Sequence, residues 1–252
     1  MTRPRRTIIS HFYNEEYLLP WWVAQHASLF DHGIMINYGS TDRSVQVIRH
    51  HAPHWEIRDS RNTHFDAHAV DAEVMEIERE VDGWKIVLNT TEFLVCKDMD
   101  KFLQQLDELG HHAYCLQSAH MIDPLHLELP DPIYRFPLYQ QRYYGLIVNH
   151  GRNRVIHRYP DGDYIIGRHG SNHPGSSLPP GAMILWYGFS PWNEQLKKRK
   201  LQIKNKMGAF KGYGGQHLMN EEEIEALYQE FAQAPHYTDD LRENEEFRRL
   251  CF

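Results

Sequence analysis

The sequence predicts an α/β fold: a mostly parallel sheet flanked by helices, followed by a helical C-terminal extension. Three observations carry this prediction. Strand-like and helix-like segments alternate over the first ninety or so residues, the strands are short apolar runs, and the last seventy or so residues show helical spacing. Of 252 residues, 41% are hydrophobic and 24% are charged, so the chain can bury a sizeable core.

The first strand and helix form the opening unit of this fold. Residues 7–13 are rich in β-branched and aromatic side chains, which favours a strand. Apolar residues at helical spacing predict a helix over residues 15–29, with Asn14 as its N-cap. Gly33 is the expected C-cap of that helix.

The alternation continues through residue 88. A short buried strand is predicted over 34–37 and a second helix over 44–51. A weaker strand at 55–57, a third helix at 66–80 and a clear buried strand at 84–88 follow. In such sheets ligands bind beyond the carboxyl ends of the parallel strands, so the chemistry is expected there.

Composition and charge exclude several classes of protein. The net charge of 27 − 34 = −7 argues against a nucleic-acid partner. The three cysteines, Cys96, Cys115 and Cys251, suggest neither a disulfide framework nor a thiolate zinc site, which fits a reducing cytoplasm. No run of 18 apolar residues occurs, so we expect no transmembrane segment and no signal peptide.

Three motifs in register resemble a known family. Residues 12–16 (FYNEE), 38–44 (YGSTDRS) and 84–93 (WKIVLNTTEF) resemble the N-E, G-S-x-D-x-S and D-x-D-E-F signatures of family-2-like glycosyltransferases with the GT-A fold, which is Rossmann-related. Residues 155–190 and 215–217 resemble the more weakly patterned second half of that group. The resemblance implies transfer of a sugar from a nucleotide diphosphate donor to a glycan or lipid-linked glycan, as in polysaccharide biosynthesis.

The resemblance also implies a division of the chain. We expect a GT-A-like domain over residues 1–190, with a nucleotide-binding half at 1–95 and an acceptor half at 96–190. Residues 191–252 form the helical extension of the same domain.

The donor site is expected at the ends of the first strands. Phe12 or Tyr13 can stack on a nucleobase, Glu15 can accept from ribose hydroxyls, and Asp42 can accept from a base N–H such as that of uracil. For Asn14 and Ser40, helix capping is as good an explanation as donor binding. The donor-binding residues expected from the resemblance are Phe12, Tyr13, Asn14, Glu15, Gly39, Ser40, Asp42, Asp71, Asn89, Thr91 and Arg168.

The third motif departs from the family pattern. Asn89 and Thr91 stand where the family has two carboxylates, and only Glu92 keeps one. One hypothesis is a divalent cation held by Glu92, His169 and His173, with Mn²⁺ favoured over Mg²⁺ because imidazole suits the softer ion. In the competing hypothesis no metal is bound, and Arg168 and a protonated histidine neutralise the charge of the diphosphate.

The catalytic residues and the reaction class have alternatives too. Asp123, in the acceptor half, is the candidate base, and Glu92 is the second candidate catalytic residue. The neutral motif also favours a catalytically inactive nucleotide- or glycan-binding module. A third hypothesis is a metal-dependent hydrolase, since His64, His68 and Asp71 have metal-like spacing if they share a helix face.

Two charged segments have competing interpretations. Asp98 and Asp100 spell a second D-x-D, but an amphipathic stretch follows them, which predicts a solvated helix start. The basic segment 197–206 is either the wet side of an amphipathic helix or a contact for an anionic acceptor or a membrane surface. The cysteine pattern already favours the cytoplasm. Contact of this segment with a membrane surface would make the protein peripheral to a membrane, which is the alternative.

Overall fold

The computed structural model describes residues 5–207 and 218–252. The strands are β1 (Arg6–Phe12), β2 (His32–Asn37), β3 (Glu56–Asp59), β4 (Trp84–Val87), β5 (Glu92–Cys96), β6 (Ala113–Ile122), β7 (Tyr144–Val148), β8 (Arg154–His157), β9 (Ser176–Ser177), β10 (Ala182–Phe189) and β11 (Asp239–Asp240). The helices are α1 (Leu19–Ala27), α2 (Ser44–His51), α3 (Ala67–Glu78), α4 (Met99–Leu109), α5 (Leu138–Gln141), α6 (Glu194–Gln202), α7 (Glu221–Gln233) and α8 (Glu245–Cys251).

The central sheet has helices packed around it, which confirms the predicted α/β class. Its strands run in the order β11-β7-β6-β8-β4-β1-β2-β3, with β5, β9 and β10 attached off this path. Strands β1 to β4 pair parallel, as predicted from the βαβ alternation. The other half is antiparallel where β8 pairs with β4 and where β6 pairs with β7 and β8. Strand β6 also pairs parallel with β9 and β10, so the sheet is mixed, with its parallel pairs in both halves.

Helix α1 begins later than its sequence pattern predicted. Asn14 has a φ of 52° and does not cap the helix, which starts at Leu19 with Pro20 in its first turn. Gly33 is not the C-cap either, because it lies inside β2. The ring of Trp55 occupies the space that a Cβ at Gly33 would need, so close packing explains this glycine.

Other predicted elements agree more closely with the structure. Helix α2 has the predicted bounds, and Asp98 caps α4 by accepting from the Lys101 N–H at 3.1 Å, which confirms the predicted helix start. Strand β5 was not predicted, because its apolar run follows directly on the third motif. The glycine-rich break at 208–215 and the motif at 215–217 lie outside the described residues.

The C-terminal helices share the main core. Phe247 and Leu250 of α8 belong to the same buried cluster as Trp22, Phe93 and Leu185. Within the described part of the chain, no helix is long and apolar enough to cross a membrane.

Candidate functional site

The carboxyl ends of β1 and β2 are held together by Asn14. Its side-chain Oδ1 accepts from the backbone N–H groups of Thr41 at 2.7 Å and Asp42 at 3.3 Å. Its own N–H donates to Ser40 Oγ at 3.0 Å. Asn14 and Ser40 therefore join two loops, a role that was neither of the two expected from the sequence.

Asp42 is engaged in the same way. Its two carboxylate oxygens accept from the backbone N–H groups of Glu16 at 3.0 Å and Ser44 at 2.9 Å. Gly39 adopts a φ of 74°, a left-handed conformation that glycine adopts readily and that fits the turn predicted there. Asp42 is thus placed at the predicted strand end, while its contact with a nucleobase stays a prediction.

The two candidate stacking residues have different environments. Phe12 is only 1% exposed and packs in the main core, so the prediction that it can stack on a nucleobase is wrong. Tyr13 is partly buried, with Lys206 Nζ 4.9 Å from its ring centroid. Gln202 Nε2 donates to the carbonyls of Tyr13 at 2.9 Å and Asn14 at 2.8 Å, which fixes the end of α6 over this loop.

Glu15 lies beside the fourth strand end. Its carboxylate pairs with Arg199 at 2.6 and 2.8 Å, and Arg199 also donates to Thr90 Oγ1 at 3.4 Å. Glu15 is 5% exposed. The expected hydrogen bonds from ribose hydroxyls would therefore have to share this carboxylate with Arg199.

Three of the expected donor residues come together on the other side of β4. Arg168 forms an ion pair with Asp71 and donates to Asn89 Oδ1 at 2.9 Å. The Gly167 N–H donates to the second Asp71 oxygen at 2.8 Å. Asp71, Asn89 and Arg168 are thus one hydrogen-bonded cluster, and the carbonyl oxygen of Asn89 is already engaged.

Glu92 is in the interior of the protein. Arg154 donates to its two oxygens at 2.7 and 2.5 Å, and the Asn89 N–H donates to it at 2.7 Å. Burial acts to raise the pKa of Glu92, but the Arg154 charge and these hydrogen bonds leave that pKa below its ordinary value. Glu92 is an ionised, fully paired carboxylate.

These residues do not fit the predicted metal site. The Glu92 carboxylate is engaged by Arg154, and His173 stacks on Tyr159 at 4.0 Å with its Nε2 2.9 Å from the Asp161 carbonyl. Among residues 5–207 and 218–252, no three His, Cys, Asp or Glu side chains are grouped so as to hold a metal ion. The predicted set of Glu92, His169 and His173 is not assembled.

Two further hypotheses from the sequence are corrected. Burial, followed by the charge of Arg154, lowers the pKa of His169 to about 4, which disfavours a protonated His169 in the metal-free hypothesis. His64 lies before α3 rather than on a shared helix face with His68, and Asp71 is paired with Arg168. The cluster on which the hydrolase hypothesis depends is therefore absent from the described residues.

Asp123 borders a cavity of about 620 Å³, also lined by Arg142, Trp192, Tyr228 and most of the loop 124–131. Its carboxylate accepts from Ser190 Oγ and from the Trp192 N–H, and Arg142 Nε lies 3.3 Å away. Burial raises the pKa of Asp123, and Arg142 only partly opposes that rise.

The basic segment 197–206 faces the protein more than the solvent. Lys197 pairs with Glu225 at 2.9 Å, Arg199 pairs with Glu15, and Lys206 lies over Tyr13. The exposed cations of this segment are Lys198 and Lys204. The sequence predicted that these cations lie on the solvent-exposed side of an amphipathic helix, whereas most of them contact the protein. Few positive charges are therefore left to contact a membrane surface.

Sequence reasoning missed Arg154, Arg199, Arg152 and Lys200, which all lie near the third motif. None of them belongs to a motif, and the segments that carry them are distant from that motif in sequence. The run of cations at 197–200 was the one available signal, and it did not indicate which of these side chains contact the protein.

No protein-family model matches the chain. No curated protein matches it by sequence. Among solved structures, the chain is similar to Staphylococcus aureus TarS 1-349, with 10% identity over 61% of this chain and 47% of that one and a TM-score of 0.36. It is also similar to Mycobacterium tuberculosis glucosyl-3-phosphoglycerate synthase in complex with Mg²⁺ and UDP, with 12% identity over 46% of this chain and 44% of that one and a TM-score of 0.33. The chain thus matches less than half the length of each structure, and this likeness assigns no activity to it.

Proposed function

We propose that the protein is a glycosyltransferase that moves a sugar from a nucleoside diphosphate sugar to a hydroxyl of a glycan or lipid-linked glycan. One observation carries the proposal: the three motif segments 12–16, 38–44 and 89–92 come together at the carboxyl edge of the parallel strands. Ligands of open α/β sheets bind at this edge. Asn14 ties the first two segments together, and Arg199 links the first to the third through Glu15 and Thr90.

Within this proposal the acceptor enters the cavity beside Asp123. The raised pKa of this buried carboxyl brings it nearer to neutrality, which suits a general base that takes a proton from a hydroxyl. Tyr13, Glu15 and Asp42 are the proposed contacts for the nucleoside. Asp71, Asn89, Thr91 and Arg168 are proposed to position the rest of the donor, and the domain limits expected at residue 190 are part of the same proposal.

A nucleotide panel tests this function. Uridine, guanosine, thymidine and cytidine diphosphates are titrated into the protein by thermal shift, because a ligand that binds the folded state raises the melting temperature. We expect one of them to shift it at millimolar concentration. If none does so, the proposed function fails.

A second candidate function is a nucleotide- or glycan-binding module without turnover. The neutral side chains of Asn89 and Thr91, where the family has carboxylates, favour it. Release of free nucleoside diphosphate from the nucleotide sugar distinguishes the two. Binding without release over several hours, with any acceptor pool, would support the module.

A further inference from the structure

The third motif is bordered by a pair of cations that have no carboxylate partner. Arg152, in the link between β7 and β8, places its Cζ 4.1 Å from the ring centroid of Trp186. Lys200, on α6, places its Nζ 4.2 Å from the ring centroid of Phe189. The Trp186 and Phe189 rings are 5.8 Å apart, so the two cations lie over adjacent rings of β10. We call Arg152 and Lys200 the cation pair.

The cation pair lies next to the loop where a metal was expected. Trp186 is directly opposite Glu92 in the pairing of β10 with β5, and Arg199, the neighbour of Lys200, contacts Thr90. Both side chains are partly buried. The charge of Glu92 also acts on Arg152, and the charges of Arg199 and Arg152 act on Lys200, so the cation pair lies in the surroundings of this loop.

Nearby carboxylates are already engaged by other groups. Glu92 pairs with Arg154, and Glu15 pairs with Arg199. Among residues 5–207 and 218–252, neither Arg152 nor Lys200 forms an ion pair. Two desolvated cations whose charges act on each other are unfavourable unless an anion neutralises them.

The electrostatics agree with this description. Burial, together with the smaller effects of the Arg199 and Arg152 charges, lowers the pKa of Lys200 to about 7. Burial also lowers the pKa of Arg152, more than the Glu92 charge raises it. An anion between the two cations would reverse this effect for both groups.

We propose that Arg152 and Lys200 bind the diphosphate of the nucleotide donor directly, in the place where related chemistry uses a divalent cation. The proposal rests on the proposed function, since it names how that donor's charge is met. A diphosphate can accept charge-assisted hydrogen bonds from both cations at once, with Arg152 offering a planar fork and Lys200 a point charge. The metal site predicted from Glu92, His169 and His173 is then unnecessary for donor binding.

The test is calorimetric titration in EDTA with uridine, inorganic pyrophosphate and UDP, followed by the best nucleotide from the panel. Arg152→Met and Lys200→Met are compared with two matched controls. Lys198→Met removes an exposed lysine of the same helix, and Arg135→Met removes an exposed arginine that also lies over a ring. Circular dichroism and thermal melts of each variant verify folding.

We expect pyrophosphate and UDP to bind in EDTA. Each cation-pair variant should lose about tenfold or more in affinity for both, while the controls stay near wild type, because a charge-assisted hydrogen bond is lost in the first set only. Uridine affinity should be equal in all five proteins. Diphosphate binding that needs added Mn²⁺ or Mg²⁺, or that is unchanged in both cation-pair variants, would overturn the proposal.

Failure of this inference and failure of the proposed function give different results. If a nucleoside diphosphate binds well but both variants bind it as wild type does, the inference is wrong and the function stands. If pyrophosphate binds through the cation pair but every nucleoside diphosphate binds no tighter than pyrophosphate, the anion site stands and the proposed donor does not.

Discussion

Arg154 and Glu92 form a doubly hydrogen-bonded ion pair in which both side chains are at most 1% exposed. The acidic residue of the third motif thus has its counter-ion built into β8. Because both side chains are buried, each supplies the counter-ion that the other needs in the interior.

Glu92→Gln is expected to destabilise the protein rather than to remove a metal. Breaking a buried ion pair leaves Arg154 charged and unpaired, so the free energy of unfolding should fall by about 3–5 kcal/mol in urea denaturation. Glu194→Gln is the control, because Glu194 is 83% exposed, and it should change that free energy by less than about 0.5 kcal/mol. Wild-type stability together with a lost Mn²⁺ dependence of donor binding would instead place Glu92 in a metal site.

Asp42→Ala should weaken nucleotide binding more than Asp98→Ala does. Asp42 accepts from two backbone N–H groups at the strand ends, whereas Asp98 caps α4. We expect about a tenfold loss of affinity for Asp42→Ala, in line with about 1.5–3 kcal/mol for hydrogen bonds to a charged group. Asp98→Ala should lower stability by about 1 kcal/mol and leave affinity unchanged. If calorimetry gives equal affinities for the two variants, the carboxyl end of β2 is not part of the nucleotide site.

Asp123→Asn should abolish transfer while leaving donor binding intact. Loss of a general base lowers the turnover rate by roughly 10²–10⁴-fold. Asp131→Asn is the matched control, since Asp131 lines the same cavity but is exposed and accepts a hydrogen bond of 2.8 Å from Asn193. Because a base works when deprotonated, the raised pKa of Asp123 should place the acid limb of the pH–rate profile above the ordinary value of 3.8. Full turnover in Asp123→Asn would mean that another residue is the base.

Affinity for a nucleotide sugar should fall as pH rises through neutrality. Lys200, with its pKa lowered to about 7, is charged at about pH 6 and mostly neutral at about pH 8.5, while the diester diphosphate of the ligand keeps its charge. The charged groups that act on it are Arg199 on its own helix and Arg152 from the link before β8. Calorimetry should show a loss of about tenfold between these pH values. Lys200→Met should have a flat profile, and an equal slope in that variant would assign the effect to another group.

His26 should make the fold sensitive to mild acid. Its Nδ1 lies 2.8 Å from the Trp22 carbonyl and its Nε2 accepts from the Leu94 N–H at 3.0 Å, so the ring is neutral. Burial lowers its pKa from 6.5 to about 3. Since the unfolded chain takes up a proton below about pH 6.5 and the folded chain does not, the free energy of unfolding should decrease by up to about 1.4 kcal/mol per pH unit from there towards pH 3.

The control for this acid effect is His236→Gln, because the His236 side chain is 79% exposed. Denaturant midpoints measured across this pH range should fall less steeply for His26→Phe than for wild type and for the control. A wild-type slope in His26→Phe would assign the acid sensitivity to other groups.

The parallel half of the fold could be predicted because its signals are local. Apolar runs of β1, β2 and β4 alternate with helical spacing, and α2 lies where the pattern placed it. The start of α1 could not be predicted, since Asn14 is occupied by a hydrogen bond to Thr41, which is distant in sequence. Its capping preference was outweighed by a contact that no local pattern encodes.

The sequence allowed the candidate residues to be placed in the fold, but it did not predict their contacts. The motif residues lie at the carboxyl edge of the strands, and Asp71, Asn89 and Arg168 do come together. The pairing of Glu92 with Arg154 spans 62 positions of sequence, and arginines carry no periodic signal. Burial also shifts pKa values, so the lowered pKa of His169 could not be predicted without knowing which groups surround the ring.

The ion pair between Glu15 and Arg199 has a consequence for synthesis of the protein. The two residues are separated by 184 positions, so the strands β1 to β4 leave the ribosome long before the helix that completes their edge. The early parallel strands can pair among themselves. Arg199, the partner of Glu15, and α8, which covers part of the core, emerge only with the last quarter of the chain. The nascent chain therefore completes the contacts of this edge only near the end of translation, and a chain cut after residue 190 would lack Arg199 and α8.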